Sequence, residues 1–247
     1  MRVEDLIVYG RKYLHTSKVN ILLSCILGID SLDLLNHLND TVSEEDFDKF
    51  KKYIEAVKEN KPVQYLIGNT VFYGREFNIN ENVLIPRFET EELVENTLKF
   101  IDNHLPKNIK LLDIGCGSGN IALTIKLERP NIDVYASDIS VDALNVTKSN
   151  MSKLNTNITV IESDMLNSIN DKFDVIISNP PYISYDEEIE DIVKNNEPHV
   201  ALYAPNNGLY YYEEILKNCN KVLNDKYLIA FEIGYKQKED IFKLAEK

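Results

Sequence analysis

Apolar residues recur at helical spacing through the first 68 residues of the chain. Ser43 is followed three residues later by the carboxylate of Asp46, which is the spacing of a helix capping box, and an amphipathic segment continues as far as Asn60-Lys61-Pro62. Three shorter helices are predicted before it, at Leu6 to Leu14, Val19 to Leu27 and Leu32 to Leu38. We therefore expect residues 1–68 to form a small helical domain.

The pattern changes at residue 69. The stretch from Thr70 to Ile79 is rich in aromatic and β-branched residues on either side of Gly74, which is typical of two short strands joined by a tight turn. We expect residues 69–86 to form a β-hairpin connector between the helical domain and the rest of the chain.

From residue 87 onward, predicted strands and helices alternate. The predicted strands are Lys110–Ile114, Asp133–Ser137, Asn157–Glu162, Phe173–Ser178 and Tyr227–Ile233, and the predicted helices are 89–104, 120–128, 141–153, 208–223 and 237–246. This alternation predicts an α/β domain over residues 87–247 with a parallel, doubly wound sheet. Ligands of such sheets bind outside the carboxyl ends of the strands.

Composition and charge narrow the classes of protein. The 247 residues have a net charge of −13, and residues 76–247 hold 17 basic and 29 acidic side chains. Duplex nucleic-acid binders normally carry the opposite sign on at least one domain. Three widely separated cysteines support neither a disulfide framework nor a zinc site, so no metal is expected. Acidic residues in Met1–Gly10 and the lack of a long apolar run predict a cytoplasmic protein without a membrane segment.

Three successive strand ends carry groups suited to a nucleoside. A glycine-rich loop, Gly115-Cys116-Gly117-Ser118-Gly119, follows the first sheet strand, and position 120, where a dinucleotide fingerprint would need glycine, is Asn120. Asp138 ends the next strand, where a carboxylate can accept ribose hydroxyls, and Asp164 and Met165 follow the third. The loop resembles that of class I methyltransferases, which implies S-adenosylmethionine as cofactor, with Asp164 on the adenine amino group and Met165 on its ring. By itself, a glycine turn is also typical of close helix–sheet packing.

The fourth strand runs into Asn179-Pro180-Pro181-Tyr182. The two prolines stiffen the loop and remove backbone donors, which leaves the Asn179 side-chain oxygen and the Pro180 carbonyl as acceptors for the hydrogens of a planar NH2 group. Tyr182 offers a flat face to a planar substrate. The motif favours methylation of an amide or exocyclic amine nitrogen, although such a tetrapeptide is also an ordinary turn.

Taken with these motifs, the chain resembles the HemK/PrmC family, which methylates the glutamine of the Gly-Gly-Gln motif in peptide-chain release factors. The likeness extends over segments 62–68, 84–91, 115–119, 179–183, 197–202 and 231–234, and Phe88 stands where relatives usually have proline. The resemblance implies that residues 115–119, Asp138, Met165 and Asn179 contact the cofactor. It implies that residues 179–182 hold the glutamine and that the helical domain recognises the release factor.

Two alternatives stay open at this point. One is an adenine or guanine amino methyltransferase acting on DNA or RNA, since the same tetrapeptide can hold a base; the acidic charge favours a protein substrate. The other is a truncated protein that binds cofactor without catalysis, because relatives continue into two more strands beyond the last predicted helix. Without those strands we expect Tyr227–Ile233 to have an unpaired edge and the chain to self-associate.

Overall fold

The computed structural model describes residues 1–246, which form two units: Met1–Gly68 with Glu190–Asn196, and Asn69–Ile189 with the residues from Glu197 onward. The first unit is helical. Its helices are α1 (Val3–Gly10), α2 (Thr16–Leu27), α3 (Glu44–Lys58), α4 (Val63–Ile67) and α8 (Asp191–Asn196). Ser43 caps α3 as its spacing predicts, because its Oγ accepts the Asp46 amide proton at 3.0 Å. A Cβ on Gly10 would lie 2.8 Å from Phe50 Cζ, so glycine lets α1 pack closely on α3.

One predicted helix of this unit is wrong. The segment from Leu32 to Leu38 contains only a short 3-10 turn at Leu34–His37. The Asp30 side chain accepts the Leu32 amide proton at 2.8 Å, and such a local hydrogen bond competes with helix formation. Leu32 and Leu35 are also exposed, so no continuous apolar face is buried here.

The second unit is built on two sheets. Its strands are β1 (Asn69–Phe72), β2 (Arg75–Asn78), β3 (Lys110–Ile114), β4 (Asp133–Asp138), β5 (Thr159–Glu162), β6 (Phe173–Ser178) and β7 (Leu223–Phe231). Its helices are α5 (Glu89–His104), α6 (Asn120–Glu128), α7 (Val141–Lys153), α9 (Pro205–Gly208), α10 (Tyr210–Asn218) and α11 (Lys238–Ala245). Both faces of the larger sheet are buried. Successive residues of β3 belong to opposite apolar clusters, Leu111 to one and Leu112 to the other, which explains why the strands are strongly apolar.

The order of the five-stranded sheet is β5-β4-β3-β6-β7, and all of its pairs are parallel. The chain proceeds outward from β3 to β5 and then returns to the other side of β3 with β6. The direction of winding therefore reverses between β3 and β6, and the crevice at their carboxyl ends is the place where doubly wound folds bind ligands. Within residues 1–246 no strand pairs with the outer edge of β7, and the self-association expected from that edge stays a prediction.

The β1–β2 hairpin packs into the core of the second unit, and its role as a connector stays a prediction. Its two-residue loop, Tyr73-Gly74, has positive φ at both positions, as a tight hairpin turn requires. Phe72 and Phe77 are buried in the same apolar cluster as β3, and the Asn150 side chain of α7 bonds the backbone of Asn78.

Candidate active site

A cleft opens at the carboxyl ends of β3, β4, β5 and β6. The empty space within it, part of which is open solvent, is about 1080 Å³. Ten of the predicted site residues line it: Gly115, Cys116, Gly117, Ser118, Asp138, Asp164, Met165, Asn179, Pro180 and Pro181. The structure thus brings together residues from four strand ends that are up to 66 positions apart in the chain.

Two predicted site residues, Gly119 and Tyr182, are not among the lining residues. Gly119 precedes α6 with φ +77°, and a Cβ there would lie 2.8 Å from Thr147 Cγ2, so glycine is needed for helix packing. The Tyr182 carbonyl accepts a hydrogen bond from Gln237 Nε2 at 3.0 Å. Burial raises the pKa of the Tyr182 phenol, which stays neutral at physiological pH. Direct roles for these two residues remain predictions.

The glycine-rich loop leaves its backbone open to the cleft. Gly115 and Gly117 have φ of +72° and +54°, and an added Cβ at either would meet no atom within 4 Å. The amides of Gly115 and Cys116 donate to the Ser137 carbonyl, which anchors the loop to β4. The Cys116 thiol is buried, and burial raises its pKa, so the residue contributes backbone and not a reactive thiolate. The loop therefore offers a ligand the close backbone approach that glycines permit.

The Asp138 carboxylate is positioned by the loop that it faces. Its Oδ2 accepts the Gly117 amide proton and its Oδ1 accepts the Ser140 amide proton, each at 2.9 Å. Burial raises its pKa, and these backbone bonds oppose the rise. Each oxygen keeps further acceptor capacity, which suits a pair of ribose hydroxyl groups.

A second carboxylate, that of Asp113, lies beneath the glycine loop and was not among the predicted site residues. It is fully buried at the end of β3, and its Oδ2 accepts the Ala122 amide proton at 3.1 Å. Within residues 1–246 its Oδ1 has no hydrogen-bond partner. Burial raises the pKa of Asp113 to about 7, with a smaller contribution from the negative charge of Asp138.

The loop after β5 holds Met165 in a left-handed conformation, with φ +49°. This region is unfavourable for a methionine by about 1–2 kcal/mol. Ser163 holds the loop: its Oγ donates to the Met165 carbonyl at 2.9 Å and accepts the Ser168 amide proton at 3.0 Å. Asp164 and Met165 thereby face the cleft together, as their predicted roles require.

The Asn179 side chain, which follows β6, is held by a residue from α5. Its Nδ2 lies 3.3 Å from Thr90 Oγ1, and Thr90 Oγ1 donates to Glu232 Oε2 at 2.6 Å. Ser178 Oγ donates to the Ile114 carbonyl at 2.7 Å and links the end of β6 to that of β3. The amide end of Asn179 and the glycine loop therefore share one rigid sheet edge.

The rim of the cleft contains an ion pair whose carboxylate is buried and whose guanidinium is half-buried. Glu197 accepts from Arg87 Nη2 at 2.6 Å and from the Ile85 amide at 3.1 Å. Because Glu197 lies over 100 positions from both partners, no local pattern in the sequence predicts this contact. The same holds for Thr90 and Glu232. The only signal was that all of them fall in segments shared with the HemK/PrmC family.

Within residues 1–246 no group of three or more His, Cys, Asp or Glu side chains is arranged to hold a metal ion. No helix in this part of the chain is long and apolar enough to cross a membrane.

Comparisons with known proteins identify the family. Residues 14–68 match the family described as PrmC N-terminal domain, and residues 88–196 match the methyltransferase small domain. Release factor glutamine methyltransferases are similar over most of the chain. That of Bacillus subtilis (strain 168) is 41% identical, covering 85% of this chain and 75% of the relative. The enzyme of Clostridium botulinum (strain Hall) is 40% identical, and the match covers 96% of this chain and 88% of the relative. The chain belongs to the release factor glutamine methyltransferase family.

Membership of this family confirms the predicted HemK/PrmC resemblance and the enzyme class. The class I methyltransferase fold preceded by a helical domain is confirmed as well. A crystal structure of a methyltransferase from Pyrococcus furiosus, 17% identical, has a TM-score of 0.53 over 79% of this chain and 86% of that one, a likeness of fold alone. The cofactor of this family member is S-adenosylmethionine. The open glycine loop and the Asp138 carboxylate fit that molecule.

Proposed function

We propose that this protein transfers a methyl group from S-adenosylmethionine to the side-chain amide nitrogen of the glutamine in the Gly-Gly-Gln motif of peptide-chain release factors. The observation that carries the proposal is the position of Asn179. Its side-chain amide lies at the end of β6 in the same cleft as the glycine loop, with its orientation held by Thr90.

The cofactor half of the cleft consists of three strand ends. The backbone of residues 115–118 would hold the amino-acid part of the cofactor, Asp138 would accept hydrogen bonds from the ribose hydroxyls, and Asp164 with Met165 would hold the adenine; all of them line the cleft. When bound, S-adenosylmethionine supplies a methyl group already activated by its sulfonium. The protein therefore has to bind and orient the two reactants, and no metal ion is required.

The glutamine half of the cleft consists of hydrogen-bond acceptors. The Asn179 Oδ1 and the Pro180 carbonyl each accept one hydrogen of the glutamine NH2 group. Because Pro180 and Pro181 have no backbone N–H, the loop offers no competing donors to this nitrogen. Two acceptors fix the nitrogen in place and bias it toward a pyramidal nucleophile, which lowers the barrier by orientation. Tyr182, directly after them, completes the glutamine subsite.

The net charge of the chain favours a protein substrate over a nucleic acid. An enzyme that flips a base must also bind phosphates, whereas residues 76–247 carry 29 acidic and 17 basic side chains. In this proposal the helical unit binds the release factor, and the enzyme works in the cytoplasm, where release factors act on ribosomes.

The test is methyl transfer to a release factor. We expect the protein and labelled S-adenosylmethionine to methylate a release factor at the Gly-Gly-Gln glutamine, as mapped by mass spectrometry. A release factor with Gln→Ala in that motif is the control and should acquire no label. Transfer to DNA or RNA but not to the release factor would contradict the proposal, and cofactor binding without any transfer would indicate a non-catalytic protein.

A further inference from the structure

Three side chains from distant parts of the chain form a continuous hydrogen-bonded array at the wall of the cleft, which Thr90 and Asn179 line. Thr90 lies in the first turn of α5 and is 2% exposed, Asn179 follows β6, and Glu232 follows β7. Thr90 Oγ1 lies 2.6 Å from Glu232 Oε2 and 3.3 Å from Asn179 Nδ2. The Glu232 backbone is fixed as well, because its amide donates to the Ser178 carbonyl and its carbonyl accepts from Tyr212 Oη at 2.8 Å.

The chemistry of the three groups gives this array a direction. An ionised carboxylate can only accept hydrogen bonds, so the Thr90 hydroxyl must donate its single proton to Glu232. Thr90 Oγ1 is then an acceptor toward Asn179, and it selects the NH2 end of the Asn179 amide. Because the amide is planar, with oxygen and nitrogen at opposite corners, Oδ1 is left for the ligand in the cleft. The charge of Glu232 therefore favours the orientation in which the Asn179 NH2 group faces Thr90 and Oδ1 faces the cleft.

We propose that Glu232 and Thr90 are positioning residues of the methyl-transfer reaction, which hold the Asn179 amide with its Oδ1 toward the substrate nitrogen. This inference rests on the proposed function. An amide or a protonated carboxyl at position 232 carries a donor as well as an acceptor; when its donor faces Thr90, Thr90 accepts from it and donates to Asn179 Oδ1. The amide then turns its NH2 group toward the substrate NH2 group, and the acceptor that binds the substrate is lost.

Four charged or titratable groups surround Glu232. Arg87 precedes α5 and Glu89 is its first residue, whereas Tyr182 lies in the loop after β6 and Tyr212 lies in α10. Burial raises the pKa of Glu232, Glu89 raises it further, and Arg87, Thr90 and Asn179 oppose the rise. Turnover should therefore decline at acid pH as Glu232 is protonated, and Glu232→Gln should lack this decline.

The first experiment compares four variants in single-turnover methyl transfer to the release factor. We expect Glu232→Gln and Thr90→Val to lower the rate by about tenfold to a hundredfold, somewhat less than loss of a preorganised hydrogen bond to the reacting atoms. Cofactor affinity, measured by calorimetry, should stay within about threefold of wild type, since the cofactor half of the cleft is untouched. Thr90→Ser keeps the hydroxyl and should restore the rate. Glu89→Gln removes a neighbouring exposed carboxylate outside the array and is the matched charge control.

A double-mutant cycle separates positioning from a structural role. If Glu232 acts through Asn179, then adding Glu232→Gln to Asn179→Ala should change the rate by less than about threefold. A full tenfold to hundredfold loss in that background would overturn the inference, and so would a wild-type rate in Glu232→Gln alone.

A readout without the release factor distinguishes this inference from the proposed function. In 15N NMR spectra the Nδ2 protons of Asn179, assigned by their loss in Asn179→Ala, should be protected from exchange in wild type. Glu232→Gln and Thr90→Val should shift them and reduce their protection, and Thr90→Ser should not. Unchanged Asn179 signals in Glu232→Gln would refute the positioning role. If the wild type fails to methylate the release factor but the NMR result is as expected, only the proposed substrate is refuted and the positioning role stands.

Discussion

Gly208 and Tyr182 lie so close together that a Cβ on Gly208 would be 2.1 Å from the Tyr182 carbonyl oxygen. The same carbonyl accepts a hydrogen bond from Gln237 Nε2 at 3.0 Å, and Gln237 Oε1 accepts the Gly234 amide proton. The backbone that carries the proposed glutamine subsite is therefore packed against two segments from the last 40 residues of the chain.

Gly208→Ala should disturb this contact. Gly208 has φ +82°, so alanine meets the conformational penalty of the left-handed region, about 1 kcal/mol, and the clash with Tyr182 adds about 1–3 kcal/mol more. Gly74→Ala is the matched control, because φ is +70° there and an added Cβ meets no atom within 4 Å. We expect Gly208→Ala to lower the Tm and the turnover, and Gly74→Ala to lower the Tm slightly. Equal Tm shifts would show that the close approach is unimportant.

Asn179→Ala should separate cofactor binding from turnover. The substitution removes the proposed Oδ1 acceptor and leaves the glycine loop, Asp138 and Met165 in place. We expect turnover to fall by on the order of 10²–10³, the scale for one preorganised transition-state hydrogen bond, while the Kd for cofactor changes little. Stopped-flow methyl transfer and calorimetry measure the two quantities. Near-normal turnover would remove Asn179 from the mechanism.

Local signals explain which parts of the fold could be predicted from the sequence. The strand, glycine loop and helix at 110–128 are consecutive in the chain, and apolar runs with turn residues identify such units. Helix α4 was not predicted, because its five residues are too few to show a period. The false helix at Leu32 to Leu38 has helical spacing but exposed leucines, and burial is not visible in a single sequence.

Long-range contacts explain which parts of the site could not be predicted from the sequence. The lining residues that follow the strands were predicted from their motifs and from topology, whereas the contacts of Thr90, Glu197 and Glu232 join segments more than 50 residues apart. Gly119 has a packing role that the glycine pattern did not reveal, because it lets α6 fit against Thr147. Its predicted contact with the ligand stays a prediction.

The ion pair at the rim, whose carboxylate is buried, should contribute more to the free energy of unfolding than an exposed ion pair does. Glu197, with a side chain 2% exposed, accepts from Arg87 and the Ile85 amide. Glu197→Gln removes the charge but keeps one acceptor, and we expect a loss of about 2–3 kcal/mol in the free energy of unfolding. Arg129 and Asp102 form an exposed pair with two hydrogen bonds, at 2.6 and 3.0 Å, and Asp102→Asn should still cost less than about 1 kcal/mol because solvent screens the charges. Denaturant unfolding measures the free energy of unfolding of both variants. Equal losses in Glu197→Gln and Asp102→Asn would contradict the expected effect of burial.

Asp113 should make stability decline as pH rises. Its folded pKa, about 7, lies above the ordinary value of 3.8, so the folded state binds the proton more tightly than the unfolded state. The contribution of this group to stability is complete below pH ~4 and is lost as pH rises to ~7. Asp113→Asn cannot ionise, so its Tm relative to wild type should increase between pH 4 and 7 and level off above. Asp133→Asn, which removes an exposed carboxylate, controls for the lost charge. A Tm difference between Asp113→Asn and wild type that does not change with pH would mean that the buried carboxyl does not titrate in this range.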